Sequence, residues 1–514
     1  MYSTADNVSW KFSDSDVMSR NDVKPFLQKD VAIIDDNQNG NYNRNQIVFE
    51  TGNIAGSGFW ADYKEAYISV PVVVEYNTTG ANLTLAQAKN AVRFKGSFLN
   101  IVDTFTVDYN NTNVVQRAEN INAYLQFKQH TEFSQNDLVV HDITGYKKMT
   151  SDSWDYSANM GIHNNSVVLN EGLDQEPVSY SASQVNVLTA LNVKDSGVDV
   201  IEQGASAKTW YYHYDCIIRL KDLSELFNGM PLTRGGNIRI TLNLNQFSLS
   251  SVINAQGVHT VTPMLQGSTV PVMRCGTPGV STTETLSLKV VSNNGVSHVK
   301  NKCRLYVPTY TINEKLEGGY SADSKTINYT EIFTHRFETL PSGSGGSTVG
   351  GRIDNVITPN QDKMEKLIII PMLKRNENGT LGLTPMESPY ACEPCVCSPY
   401  KINNFQVLMA KKPLFLNVPE YKYESFLREM NGLGLNSGQT DGLSSGLISY
   451  KDYVETYGYI CVDISRREDF LDKMPVSLEI KGSVVSPKAL DFVCFVVTRK
   501  NISIRMVDGV MSQD

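Results

Sequence analysis

Apolar and polar residues alternate with a period of two along much of this chain. Ile238, Ile240, Leu242 and Leu244 share one face, while Arg239, Thr241 and Asn243 share the other. Phe105, Val107 and Tyr109 alternate with Thr104, Thr106 and Asp108, and Val476, Leu478 and Ile480 with Ser477, Glu479 and Lys481. Ile327, Tyr329, Phe333 and Phe337 line one side of a further segment. Successive side chains of a strand point to opposite faces, so these segments are predicted to be half-buried antiparallel strands. Residues 67–76 and 490–498 are apolar on both faces and are expected inside a sandwich.

Helical periodicity is scarce. Ala118, Ile121, Tyr124 and Leu125 form one stripe, Leu220, Leu223, Leu226 and Phe227 a second, and Tyr423, Phe426, Leu427 and Met430 a third. Each covers three or four turns at most, too little for a helical scaffold. Many short strands separated by turn signals predict a sandwich or jelly roll. Residues 342–352 and 431–446 are Gly/Ser-rich and are read as loops. Residues 246–296 are polar and carry Pro263, Pro271 and Pro278. A buried connection of that length would leave many amides unpaired, so it is expected to run over the surface or to form small strands there.

The chain has 514 residues, more than one core holds, since single cores stop growing near ~250–300 residues. An internal repeat gives the division. Residues 216–232 (CIIRLKDLSELFNGMPL) and 461–476 (CVDISRREDFLDKMPV) follow one plan: a strand end at a Cys, a charged amphipathic turn, then Met-Pro and an alternating strand. Pro231 and Pro475 stand 244 residues apart, close to half the chain. That is the signature of a duplicated domain.

Apolar residues are 41% and charged residues 19%, enough to build cores and too little charge for disorder. The net charge is −8. Residues 1–30 hold Lys11, Arg20, Lys24 and Lys29 against Asp6, Asp14, Asp16, Asp22 and Asp30. No basic arm is present to displace counterions from nucleic acid, so sequence-specific nucleic-acid binding is not expected. The start, MYSTADNVSWKF, lacks a basic region before an apolar run, and no apolar stretch approaches the ~18 residues of a membrane span. Synthesis in cytoplasm or nucleus is expected, with the eight cysteines reduced and the Asn-x-Ser/Thr matches fortuitous.

Candidate chemistry is thin. Gly442, Ser444 and Gly446 match GxSxG, but a nucleophile elbow needs a strand before it, and a Gly/Asn-rich loop precedes this one. Asp35, Asp36, Asn37, Asn39 and Gly40 resemble the start of a calcium loop, but Gln46 stands where a bidentate Glu belongs, so a plain turn is favoured. Cys392, Cys395 and Cys397 are the best metal candidate, yet no second CxxC exists and no histidine lies within 50 residues. Structural zinc wants four ligands, so buried or contact-making thiols are preferred. No catalytic, cofactor-binding or metal residue is assigned, no cofactor is expected, and the chain is read as a non-enzyme.

Residues 217–245 (IIRLKDLSELFNGMPLTRGGNIRITLNLN) resemble the late strand–helix–strand of the first roll in double-jelly-roll major capsid proteins, above all those of polinton-like viruses and virophages. Residues 303–312 with 325–332 resemble the crossing between rolls. Residues 97–116 resemble the early first roll, and 459–482 the late second roll. The resemblance implies a mainly β fold of two tandem eight-stranded jelly rolls with short helices and long loops. It places an N-terminal arm over residues 1–45, the first roll over 46–315 and the second over 316–514. It implies a major capsid protein of the virion, forming homotrimeric pseudo-hexagonal capsomers in an icosahedral shell around a double-stranded DNA genome. Its partners would be neighbouring capsomers, penton and minor or cement proteins. Long loops at one end of the rolls would build an outward crown, formed by part of residues 246–296 with the loops near 343–351 and 431–446; the competing reading is that 246–296 braces the neighbouring subunit of the trimer. The alternative is a viral receptor- or carbohydrate-binding β-sandwich protein.

Overall fold

The computed structural model describes residues 25–38, 46–79, 92–134, 136–137, 144–146, 198–203, 207–253, 259–265, 267–274, 283–290, 302–314, 324–338, 349–359, 361–373, 397, 400–416, 420–432, 446–455, 457–466, 475–486, 490–506 and 508–513. Fifteen strands occupy the first part: β1 (Phe26–Asp35), β2 (Gln46–Glu50), β3 (Trp60–Ala61), β4 (Tyr67–Thr79), β5 (Val92–Phe94), β6 (Val102–Tyr109), β7 (Thr112–Val115), β8 (Val198–Gln203), β9 (Ala207–Arg219), β10 (Ile238–Leu244), β11 (Phe247–Ile253), β12 (His259–Leu265), β13 (Val272–Arg274), β14 (Thr283–Val290) and β15 (Arg304–Ile312). The second part holds β16 (Ser324–Glu338), β17 (Val349–Ile357), β18 (Met364–Leu373), β19 (Lys401–Met409), β20 (Lys412–Pro413), β21 (Ile460–Asp463), β22 (Leu478–Ser486), β23 (Leu490–Arg505) and β24 (Met511–Gln513). Helices are short: α1 (Gly52–Ala55), α2 (Ile121–Glu132), α3 (Leu220–Leu223), α4 (Glu225–Gly229), α5 (Tyr423–Gly432) and α6 (Tyr450–Glu455).

Both parts share one plan. In the first, β1, β15, β4 and β9 lie side by side in one sheet and β2, β10, β6 and β7 in another. In the second, the orders are β16-β23-β18-β21 and β17-β22-β19-β20. Counting eight framework strands in each part, both place the first, eighth, third and sixth in one sheet and the second, seventh, fourth and fifth in the other. That is a jelly roll twice over. Among the described residues no sheet joins β1–β15 to β16–β24. The repeated segments occupy equivalent positions: β9 leads through α3 and α4 to β10 in the opposite sheet, as β21 leads to β22. Pro231 ends the first helical passage with no amide to extend it.

The alternation read from the sequence is the observed burial. In β10, Ile238, Ile240, Leu242 and Leu244 are buried and Arg239 is exposed. Residues 490–498 of β23 are buried on both faces, with β16 on one side and β18 on the other. Each large apolar side chain so placed contributes about 1.5–3 kcal/mol.

Three expectations differ from the structure. Within the arm expected over residues 1–45, residues 26–35 form β1, which pairs antiparallel with β15 from Phe26↔Ile312 to Asp35↔Arg304; residues 1–24 lie outside the described residues. The segment 246–296 is not confined to the surface. Its strand β14 pairs with β4 and with β11, and β11 with β12, so ladder bonds satisfy the amides and Phe247, Leu249, Leu286 and Leu288 enter the core. The stripe of Leu220, Leu223, Leu226 and Phe227 is split into α3 and α4, because extended Ser224 ends one helix and caps the next through its side-chain oxygen on the Leu226 amide.

Candidate functional site

The strand order places the connections. Every pairing is antiparallel, so the links after the first, third, fifth and seventh framework strands leave from one end of a roll. In the first roll these span residues 36–45, 80–101, 116–206 and 245–303; in the second, 339–348, 374–400, 414–459 and 487–489. At the opposite end, β6 turns into β7 through Asn110 and Asn111, and β19 into β20 through Ala410 and Lys411. All four have positive φ, the backbone of a tight two-residue hairpin. One end of each roll thus carries most of the long connections.

Both rolls stand with the same end up. Helix α2, on the long link after β7, is buried against the second roll's long link after β20. Phe127 meets Tyr459 edge to face at 5.1 Å, Tyr124 lies 5.8 Å from Phe495, and the His130 ring is 4.1 Å from that of Tyr457. His130 Nδ1 lies 2.9 Å from the Tyr459 hydroxyl, and its carbonyl accepts the Leu447 amide. Gly446 has φ +65°, and a Cβ there would sit 2.5 Å from the Thr131 carbonyl oxygen. This glycine of the GxSxG match is therefore required by packing; residues 442–445 lie outside the described residues. At the lower end, the Arg234 amide donates to the Met506 carbonyl, and the Asn110 side chain donates to the carbonyl of Gly509.

The first strand of each roll has a different fate. Strand β16 is covered by the first roll: Ile327 packs on Gly229, the Tyr329 hydroxyl donates to the Val114 carbonyl, and buried Glu331 accepts the Gln116 amide. Desolvation raises the Glu331 carboxyl above its ordinary value, opposed by that amide and by Lys500. Its counterpart β1 is an edge strand that nothing covers among the described residues. Leu27, Val31 and Ile33 are 61%, 48% and 58% exposed, beside a cleft of about 660 Å³ lined by Ile33, Ile54, Phe59 and Arg304 among others. On the second roll, Leu416, just after β20, is fully exposed. Apolar edges of this kind invite a partner.

The remaining chemical candidates are resolved locally. Asp35 pairs with Arg304 at 3.0 Å and Lys302 at 3.3 Å, and the hydrogen bond from Arg304 leads in lowering its carboxyl. The Asp36 side chain accepts the Gln38 amide, while Asn39, Gly40 and the rest of that loop to residue 45 lie outside the described residues. Cys397 is buried and its thiol is pushed up by burial, while Cys392 and Cys395 lie outside the described residues. Among the described residues no cluster of His, Cys, Asp or Glu could hold a metal, and no helix is long and apolar enough to cross a membrane. Sequence reasoning missed a tyrosine-lined cavity at the loop-bearing end of the second roll; the density of Tyr400, Tyr421, Tyr423, Tyr450 and Tyr453 in one stretch was the available signal.

No family model and no curated protein matches the sequence. Solved structures do. A chain from the cryo-electron microscopy structure of the Sputnik virophage aligns with a TM-score of 0.57 at 13% identity, over 96% of this chain and 89% of that one. The mavirus major capsid protein aligns with a TM-score of 0.52 at 10% identity, over 96% and 93%. This chain shares their fold, the mainly β double jelly roll that the resemblance to virophage and polinton-like virus capsid proteins implied.

Proposed function

We propose that this chain is a major capsid protein, a structural subunit rather than an enzyme. Three copies form a pseudo-hexagonal capsomer, and capsomers tile an icosahedral shell around a double-stranded DNA genome. The observation that carries this reading is the unequal fate of β1 and β16. Within one chain, the first roll covers the leading strand of the second. The leading strand of the first roll exposes Leu27, Val31 and Ile33, and the second roll exposes Leu416 beyond β20, the counterpart of β7. Repeating the intrachain contact between chains brings the second roll of one copy against β1 of the next. Such a head-to-tail contact closes into a ring when the rotation permits, and three chains supply six rolls. The fold shared with the Sputnik and mavirus proteins supports the same assignment.

In this reading the boundary between rolls falls at residues 315–316 and the long connections face outward. Penton and minor proteins complete the particle, and residues 1–24 reach toward the inner side. The test is to express the chain alone, measure its mass by light scattering at micromolar concentration and image it by negative stain. Trimers of hexagonal outline that assemble into shells are expected; a monomer throughout would overturn the proposal.

A further inference from the structure

The second roll carries a cavity of about 540 Å³ at its loop-bearing end, lined by Tyr400, Tyr421, Tyr423, Tyr450 and Tyr453 and rimmed by Lys401, Glu420, Lys422 and Glu424. Its size falls within the roughly 300–1,000 Å³ of small-ligand sites. Three hydroxyls are tied into the protein: Tyr421 donates to the Cys461 carbonyl and accepts its amide, Tyr423 donates to the Ile448 carbonyl, and Tyr453 to the Tyr459 carbonyl. The rings are thereby fixed in place. Tyr423 packs on Tyr453 at 5.2 Å and meets Tyr450 edge to face at 5.7 Å. Tyr450 itself is 67% exposed, so much of its ring is open to a ligand.

We propose that this cavity binds a glycan through an equatorially substituted pyranose. Such a sugar presents flat C–H faces that suit the electron-rich faces of aromatic rings, and a belt of hydroxyls that suits a rim of mixed donors and acceptors. The rim carries two lysines and two glutamates, with Lys422 and Glu420 paired at 2.6 Å. Its balanced charge disfavours a phosphate backbone, which needs a positive groove beside the stacking rings. A proline-rich peptide also docks on aromatic grooves, but its carbonyls need free donors, and the hydroxyls of Tyr421, Tyr423 and Tyr453 are already committed. The binding chemistry stands independently of any shell; a role in host attachment rests on the capsid reading and on this end facing outward.

The test titrates the purified full-length chain with cellotriose by calorimetry and by saturation-transfer NMR, with decaproline as the rival probe. Cellotriose is expected to bind, with saturation strongest at its ring C–H protons. Tyr450→Ala is expected to weaken binding at least tenfold, and Lys422→Ala severalfold; both residues are exposed, so neither change threatens the fold. No cellotriose binding, binding unchanged in Tyr450→Ala, or binding of decaproline in its place would overturn the proposal. Light scattering on the same samples reads oligomeric state separately, so cellotriose binding by a monomer would sink the capsid reading and leave this one standing.

Discussion

The two rolls obey one strand order and differ in how they complete it. In the second, the eighth strand β23 spans sixteen residues and pairs with the full length of β18, from Met364↔Thr498 to Leu373↔Leu490. In the first, the eighth strand β15 is shorter and pairs with β4 only from Tyr67 to Ser69; from Val72 onward the same edge of β4 is taken by β14. A central strand must satisfy its amides and carbonyls, and the chain has met that demand once with a long strand and once with an inserted one. The link after the seventh strand is therefore long in the first roll and three residues, 487–489, in the second. The fold plan fixes which hydrogen bonds are made and leaves open which segment makes them.

The largest expected effect concerns the bare strand. Val31→Lys with Ile33→Lys should abolish the trimer while leaving the thermal stability of the subunit almost unchanged, because both side chains are exposed in the monomer. Trimers that survive in light scattering would remove β1 from the interface.

Next is the seam. Phe495 is fully buried in β23 and lies beside Tyr124 of α2, so Phe495→Ala should cost about 3–5 kcal/mol. All four tryptophans, Trp10, Trp60, Trp154 and Trp210, belong to the first 210 residues. If the seam couples the rolls, tryptophan fluorescence should shift to lower denaturant together with far-UV circular dichroism. A fluorescence transition left in place would show that the rolls unfold separately. Tyr459→Phe, which takes the hydroxyl from His130 Nδ1, should cost about 1–3 kcal/mol by the same assay.

A smaller effect separates the covered leading strand from the bare one by pH. Burial raises the Glu331 carboxyl above its ordinary 4.5. The folded protein then holds a proton that the unfolded chain has released. This contribution to stability is complete below about 4.5 and is lost as pH rises through the higher folded value. Glu331→Gln should flatten the stability profile across that window; an unchanged slope would assign it to another group.

The smallest effect compares the two hairpins. Asn110 and Asn111 tolerate positive φ, whereas Ala410 and Lys411 adopt φ of 49° and 68° at a cost. Lys411→Gly should stabilise the second roll by up to about 1 kcal/mol, the relief of ~1–2 kcal/mol of left-handed strain less the ~0.5–1 kcal/mol of backbone entropy that glycine loses, measured by chemical denaturation. The first hairpin carries an Asn-Asn turn signal in its sequence. Nothing in Ala-Lys announced the second, because its backbone is imposed by the ladder on either side.

What the sequence determined by itself is what depends on near neighbours. Alternation along residues 238–244 and 476–480, the doubly apolar run at 490–498, the helical stripes and the repeat around Cys216 and Cys461 report burial through local periodicity. They were enough to reach two mainly β rolls and a family resemblance. Only the tertiary structure decided what depends on distant partners. Residues 246–253 and Leu286 read as part of a surface connection until β4 offers a ladder to β14, and β14 in turn to β11. Residues 26–35 read as part of an arm until β15 lies beside them. Glycine at 446 reads as a loop residue until the backbone of α2 closes on it. The exposure of Val31 and Ile33, against the cover over Ile327 and Tyr329, has no local signature, because it is set by which surface the other roll reaches.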